Sequence, residues 1–417
     1  MTDDPAPPRF VPRRHAYLPV LSWVLVGLVF AWFALWYFVY RPTGEERLQQ
    51  AAFREGLDLI QTHYVQDIDR ERLYQGAMRG MVGALPDPYS VYRTPEQMQQ
   101  LDEDTRGEFG GIGIVLPPWP EKPVVDEVIE GGPAQKAGIR AGDVITQVDG
   151  VDVLEMRRDK LVAMVRGKVG TTVELRILRE STDEELTFKV ERGRIEVRTV
   201  KSEMVAPDIG MLSLMMFDEN CSDEVRKALE NLTGQGAKGI IFDLRSDSGG
   251  LVKEAISICD MFLDKGMILS TSSRGELTEP PAMATPKTVL SMDVPVVILV
   301  NGGTASASEI VAGSLQALGR ATVVGTVTVG KGAVNQVFHL PDASGMVITV
   351  AHYQLAGGKI IEGNGVKPDV VAGEWPERPQ GLSLQELGEW YRTNREKTRS
   401  EQMDAALRVI RQKLGAD

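Results

Sequence analysis

Two cysteines, Cys221 and Cys259, are all the thiols in 417 residues. That is too few for a disulfide scaffold and compatible with one disulfide, two buried thiols or neither. Histidine is nearly as scarce. Of the four, His15 precedes a long apolar run and His63 falls in a helical stretch, so only His339 and His352, in strand-like runs, stay open as bases. A basic surplus is missing too: 46 Lys and Arg against 58 Asp and Glu give a formal net charge of −12, without the footprint of a nucleic-acid binder. No internal repeat or low-complexity tract interrupts a chain long enough for roughly two or three domains. A phosphate-binding loop is absent despite a near match. Gly325, Gly330 and Lys331 in GTVTVGKG have the spacing, but Gly332 stands where Ser or Thr would hold magnesium, and TVTV alternates as a core strand does.

Charge is also missing from Tyr17 to Tyr40, YLPVLSWVLVGLVFAWFALWYFVY. The run is long enough for a helix to cross a bilayer core of about 30 Å, with Trp and Tyr crowding its outer end. It exceeds the apolar segment of a cleaved signal peptide, about 7 to 15 residues, and no small-residue cleavage site follows it. Residues 17–40 therefore read as an uncleaved anchor behind a cytoplasmic tail, 1–16. Arg9, Arg13 and Arg14 before the span, against Arg41 and Arg47 after it, orient the N-terminus inward and the rest of the chain to the periplasm or extracytoplasmic space.

Beyond the anchor, residues 44–106 carry apolar positions at helical spacing and end in the turn-rich LPDPYSVY. Residues 107–193 change to short β-like runs between Gly and Pro signals. In residues 194–380 strands such as KGIIFDL and VPVVILV alternate with helices, which predicts an α/β domain with buried parallel strands. The charged C-terminal stretch, 381–417, reads as helices facing solvent or a partner.

Three stretches carry candidate chemistry. In VPVVILVNGGTASASEIVAG a strand runs through small residues into a helix, a turn that can lift a serine hydroxyl while N–H groups at the helix N-terminus face developing negative charge. Ser306 and Ser308 are both candidate nucleophiles, and Ser306 with Glu309 also reads as a capping box. With imidazole scarce, a neutral lysine is the other possible base. Lys331 suits that role because Asp342 is the only other formally charged residue between Ala321 and Val350, and burial lowers an amine's pKa from about 10.4 toward the range of about 7 to 8 useful in catalysis. In DLRSDSGG, Gly249 and Gly250 can offer N–H groups to an oxyanion, or simply form a left-handed turn. In GEFGGIGIVL a Gly-rich turn before an apolar strand can hold a carboxylate while the strand edge accepts a peptide.

Taken together, these stretches resemble the C-terminal processing peptidases, or tail-specific proteases. GEFGGIGIVL with GGPAQKAGIRAGDVITQVDG is similar to that family's PDZ domain, with Gly111, Ile112, Gly113 and Ile114 on the carboxylate-binding loop. Tyr64, Val65 and LPDPYSVY match its N-terminal helical region, and IIEGNGVKPDVV the end of its protease core. The resemblance implies a crotonase-like α/β core with an inserted PDZ domain, and a serine endopeptidase acting on protein or peptide tails with a free C-terminus. It selects Ser306 as nucleophile, Lys331 as general base, and the Ala307 N–H with the Gly249/Gly250 turn as oxyanion hole. It also implies a PDZ that gates the site, a homodimer built by the terminal helices, and no metal or cofactor. Two departures stand out. Asp247 and Ser248 replace Asn and Pro of the family's DLR-x-NPGG, a change expected to loosen the turn. Asn335 replaces the Gln that orients the lysine, with Gln336 beside it, so either is a candidate for that role. These departures motivate an alternative, an inactive PDZ-bearing membrane scaffold or tail-binding adaptor.

Overall fold

The computed structural model describes residues 43–415, except 117–122, 155, 157, 180, 181, 183, 197, 198, 275, 278, 279, 378 and 381–383. Of the first 42 residues it describes only Trp23, Gly27, Leu28, Ala31 and Trp32. The expected anchor, 17–40, therefore lies almost wholly outside the described residues, among which no helix is long and apolar enough to cross a membrane. The chain divides into two compact units, one ending at Gly80 and one beginning at Met81. In the first, the helix Gly44–His63 starts on a Thr43/Glu46 capping box, and the acidic pair Glu45 and Glu46 suits the positive end of its dipole.

The second unit is built on a six-stranded sheet in chain order: Val200–Ala206, Ile209–Leu214, Gly239–Asp243, Val296–Val300, Ala321–Gly325 and Val370–Val371. Its first pair is antiparallel and every later pair parallel. The central strands are β-branched and aromatic and buried on both faces, as parallel sheets require. Alternation sorts their side chains. Ile240, Phe242, Val296, Ile298 and Val300 meet the helices Cys221–Gly234, Val252–Phe262 and Ala307–Ala317, while Ile241, Val297 and Leu299 meet Ala405, Ala406 and Ile410 of the C-terminal helix Leu384–Leu414. That helix is thus one layer of the core, where its charged sequence had suggested a face turned to solvent or a partner. Both cysteines are buried free thiols in this core.

A second sheet centres on the long strand Gly345–Leu355, which pairs with Val91–Arg93, Met267–Ser273, Ala333–His339 and Lys359–Ile360. The β module has its own core. In Thr172–Arg179 every second residue, Val173, Leu175 and Ile177, points inward to join Ile112, Ile145 and Val190. A largely buried Arg179–Asp143 pair at 2.8 Å ties the neighbouring inner strands Asp143–Val148 and Thr172–Arg179.

Candidate active site

The strand Val296–Val300 ends in a turn tied by the Asn301 amide, whose oxygen accepts the N–H of Ser246 (2.8 Å) and of Gly303 (2.9 Å). Thr304 donates its hydroxyl to the Leu244 carbonyl at 2.8 Å. Together these bonds bring the DLRSDSGG turn alongside the start of the helix Ala307–Ala317. Ser306, the residue before that helix, has φ +57° and ψ −117°. Such a backbone costs a non-glycine residue about 1–3 kcal/mol and persists only when its surroundings enforce it. Here the Ser306 N–H donates to Glu309 (2.8 Å), while its carbonyl accepts from the N–H of Glu309 (2.9 Å), the N–H of Ile310 (3.0 Å) and the Tyr353 hydroxyl (3.3 Å). Ser308 is fully buried and spends its hydroxyl on the Asp247 carbonyl at 3.1 Å.

Glu309 is the residue that sequence reasoning understated. Its carboxylate, fully buried, does more than cap a helix. One oxygen accepts from Ser306 N–H and from Lys331 N–H at 2.9 Å; the other accepts from Gly330 N–H at 2.7 Å and from the Thr328 hydroxyl. A single carboxylate thus clamps the serine turn to the lysine segment, using charge-assisted bonds in a dry environment. Tyr353, also buried, donates to the carbonyls of both Ser306 and Lys331. The S-x-x-E spacing revealed only the local half of this arrangement, because Lys331 reaches Glu309 through tertiary structure.

The expected core strand TVTV does not form. The strand ends at Gly325, and residues 326–332 are irregular, with Val327 and Val329 half exposed. Their backbone groups are drawn away from a ladder: Val329 N–H donates to Thr304 (3.0 Å), and the Thr328 hydroxyl oxygen accepts from Val366 N–H (2.7 Å). Only glycine fits at position 325, since a Cβ there would lie 1.9 Å from the Val300 carbonyl.

Lys331 is partly buried, and burial lowers its amine pKa, as expected. Its isolation from charge holds along the sequence only. In space Asp87, Glu362 and Glu309 surround it and act in the opposite direction, toward the ammonium. Its Nζ sits 5.3 Å from the centroid of the Tyr89 ring, which belongs to LPDPYSVY. Asn335 donates to Thr349 (3.1 Å) and to the Tyr89 carbonyl (3.4 Å) rather than to the lysine, and Gln336 is exposed. His339 and His352 are exposed on their strands.

The DLRSDSGG turn is held firmly, against the expectation that Asp247 and Ser248 loosen it. Arg245 N–H binds Asp243 (3.0 Å), Asp247 N–H binds Leu244 (3.3 Å), and Gly249 N–H binds the Asp247 carboxyl (2.8 Å). The Arg245 side chain meets Asp243 at 2.6 Å and the Arg399 carbonyl at 3.0 Å. Gly249 has φ +95°, and a Cβ there would stand 2.8 Å from Ser306 Cβ and 2.9 Å from Ala307 N. With the Gly249 N–H engaged, the N–H groups of Gly250 and Ala307, like that of Ser248, have no hydrogen-bond partner among the described residues.

In the β module, the side chain of Ile112 is buried and its carbonyl accepts from Ala134 N–H (2.7 Å). Gly113 has φ +77° and its carbonyl accepts from Ile129 N–H (2.9 Å). The strand Ile114–Val115 follows, paired on one edge with Glu127–Val128. Among the described residues no group of three or more His, Cys, Asp or Glu is placed to hold a metal ion.

Three family models match this chain: Peptidase family S41 over residues 208–372, a PDZ domain over 124–192, and the activating protease CtpB N-terminal domain over 42–97. The carboxy-terminal-processing protease of Bartonella bacilliformis is 36% identical over 82% of this chain and 79% of its own length. The carboxy-terminal processing protease CtpA of Bacillus subtilis is 35% identical over 79% and 70%. Among solved structures, a photosystem II D1 C-terminal processing protease aligns over 80% of this chain and 90% of that one, at 29% identity and a TM-score of 0.48. With Ser306 and Lys331 clamped by one carboxylate in an α/β core beside a PDZ domain, the chain belongs to the carboxy-terminal processing proteases, serine peptidases of family S41.

Proposed function

We propose that Ser306 and Lys331 are the catalytic dyad of an endopeptidase that captures C-terminal protein tails. The observation that carries this reading is the Glu309 carboxylate, which fixes both residues' backbones at once. The neutral Lys331 amine takes the proton of the Ser306 hydroxyl as the oxygen attacks a peptide carbonyl. The N–H groups of Ala307 and Gly250 stabilise the oxyanion. The protonated lysine then hands its proton to the leaving amine, and water releases the acyl-enzyme. Gly249 allows the close approach of the turn to Ser306 rather than serving as a donor.

The Gly111, Ile112, Gly113 and Ile114 loop holds the tail's carboxylate, with the tail lying along the neighbouring strand. The crotonase-like class, the anchor at 17–40, an extracytoplasmic catalytic part and a homodimer belong to the same proposal. The uncharged run and its flanking arginines support the topology.

The test is cleavage of a disordered protein by the detergent-solubilised full chain. Ser306→Ala and Lys331→Ala should each lower kcat by about 10⁴-fold or more, with tail-peptide binding retained. Rate should rise with pH through a limb below the ordinary lysine pKa of about 10.4, because burial depresses the Lys331 amine. Wild type and both variants equally inert while peptides bind, or full activity in Lys331→Arg, would contradict the dyad.

A further inference from the structure

Asp247 stands where the family usually has asparagine, and its surroundings suit an uncharged group better than a carboxylate. The residue is fully buried. One carboxyl oxygen accepts the Gly249 N–H at 2.8 Å, and the other, Oδ2, is buried with no hydrogen-bond partner. No cation pairs with it among the described residues, since the guanidinium of Arg245, two residues earlier, is committed to Asp243. The titratable group facing it from the helix Cys221–Gly234 is the Cys221 thiol, itself near Asp218 and Glu254. From the helix Ala307–Ala317 it meets the uncharged Ser308 hydroxyl, and Glu309 beyond is already bound to Ser306, Gly330 and Lys331. Apart from Arg245, already paired with Asp243, the ionisable neighbours are thus neutral or anionic. A carboxylate left unpaired in such a place is strongly disfavoured.

We propose that Asp247 is a positioning residue that works as the neutral acid: it holds the Gly249–Gly250 turn against Ser306 through the Gly249 N–H, and its ionisation sets an uncompensated negative charge beside the pocket where the oxyanion forms. The reading rests on Ser306 as nucleophile. Burial pushes the carboxyl up to about 7, against the opposing bond from Gly249 N–H, so the loss falls within the physiological range.

The experiment compares the full chain with Asp247→Asn and Asp247→Ala from pH 5.5 to 9. Asn keeps the acceptor and cannot ionise. Its kcat/KM should match wild type at acid pH and exceed it by about tenfold near pH 8, the factor expected when only a protonated group with a pKa of about 7 is active. Asp247→Ala, lacking the acceptor, should be slower at every pH. A ratio of Asn variant to wild type that does not change with pH overturns the proposal. The unfolding midpoint supplies an arm independent of turnover: the Asn variant's advantage should grow as pH rises from about 4 to about 7 and then level off. A difference constant with pH overturns the neutral acid even if nothing is cleaved. Absence of cleavage with the midpoint arm as expected supports the neutral acid and removes the reading of Ser306.

Discussion

Two segments converge on Ser306, and they are held in different ways. The turn Leu244–Gly250 combines two bonds of its own, through Asp247 and the carbonyl of Leu244, with ties to Asn301, Thr304, Ala305, Ser308 and Phe217. The segment Thr326–Gly332 has little internal bonding and is fastened from outside, by Glu309, Thr304, Val366 and Tyr353. Their titratable groups differ in the same sense. Asp247 has no counter-charge, so burial acts on it unopposed apart from the Gly249 N–H bond. Lys331 has three carboxylates nearby, and its amine is still depressed because burial is the larger effect. Both sides of the serine are driven toward their uncharged forms by the same physical cause, desolvation. Each form suits its place: a neutral amine can accept a proton, and a neutral acid leaves the oxyanion without a nearby anion.

The sharpest way to break the comparison is to remove the external fastening. Glu309→Gln leaves one oxygen but turns an amide donor toward N–H groups that already donate. It should cost about 3 kcal/mol of stability and lower kcat by about a hundredfold, read from denaturant unfolding and initial rates. Retained kcat would show that the two segments find their places without the clamp.

Testing the Gly249 turn is a smaller perturbation. Gly249→Ala places a methyl 2.8 Å from Ser306 Cβ in a backbone at φ +95°, and should cost about 1–3 kcal/mol, with kcat falling more than KM changes. An equal loss when Gly249→Ala is combined with Ser306→Gly, which removes that Cβ, would assign the cost to the turn itself rather than to the serine side chain.

The smallest effect is expected at Asn335. Its amide serves Thr349 and the Tyr89 carbonyl rather than the lysine. Asn335→Ala should therefore lower kcat by less than about tenfold, at the cost of about 1 kcal/mol for one lost hydrogen bond. A larger fall, with a displaced lysine limb in the pH profile, would give Asn335 the orienting role.

Much of the architecture was readable from local pattern. The runs GIIFD and VVILV predict buried parallel strands because an uninterrupted apolar stretch suits only a strand covered on both faces, and both are found so. Ser306 and Ser308 both stood out because a strand entering small residues and then a helix limits how the backbone can turn, and the family resemblance singled out Ser306. The TVTV strand was misread because alternation measures only what a segment prefers locally. The side chain of Glu309 and the Val300 carbonyl decide otherwise from outside.

The sequence by itself determined the buried parallel strands and their helices, and which serines and lysine are candidates, since these follow from side-chain size, backbone freedom and periodicity. Only the tertiary structure decided that Glu309 joins the two, that Asp87 and Glu362 surround a lysine isolated along the chain, that the C-terminal helix is core, and that Asp247 sits without a counter-charge. The reason is common to all four. Electrostatics and burial depend on distance in space, and residues far apart in the chain supply most of both.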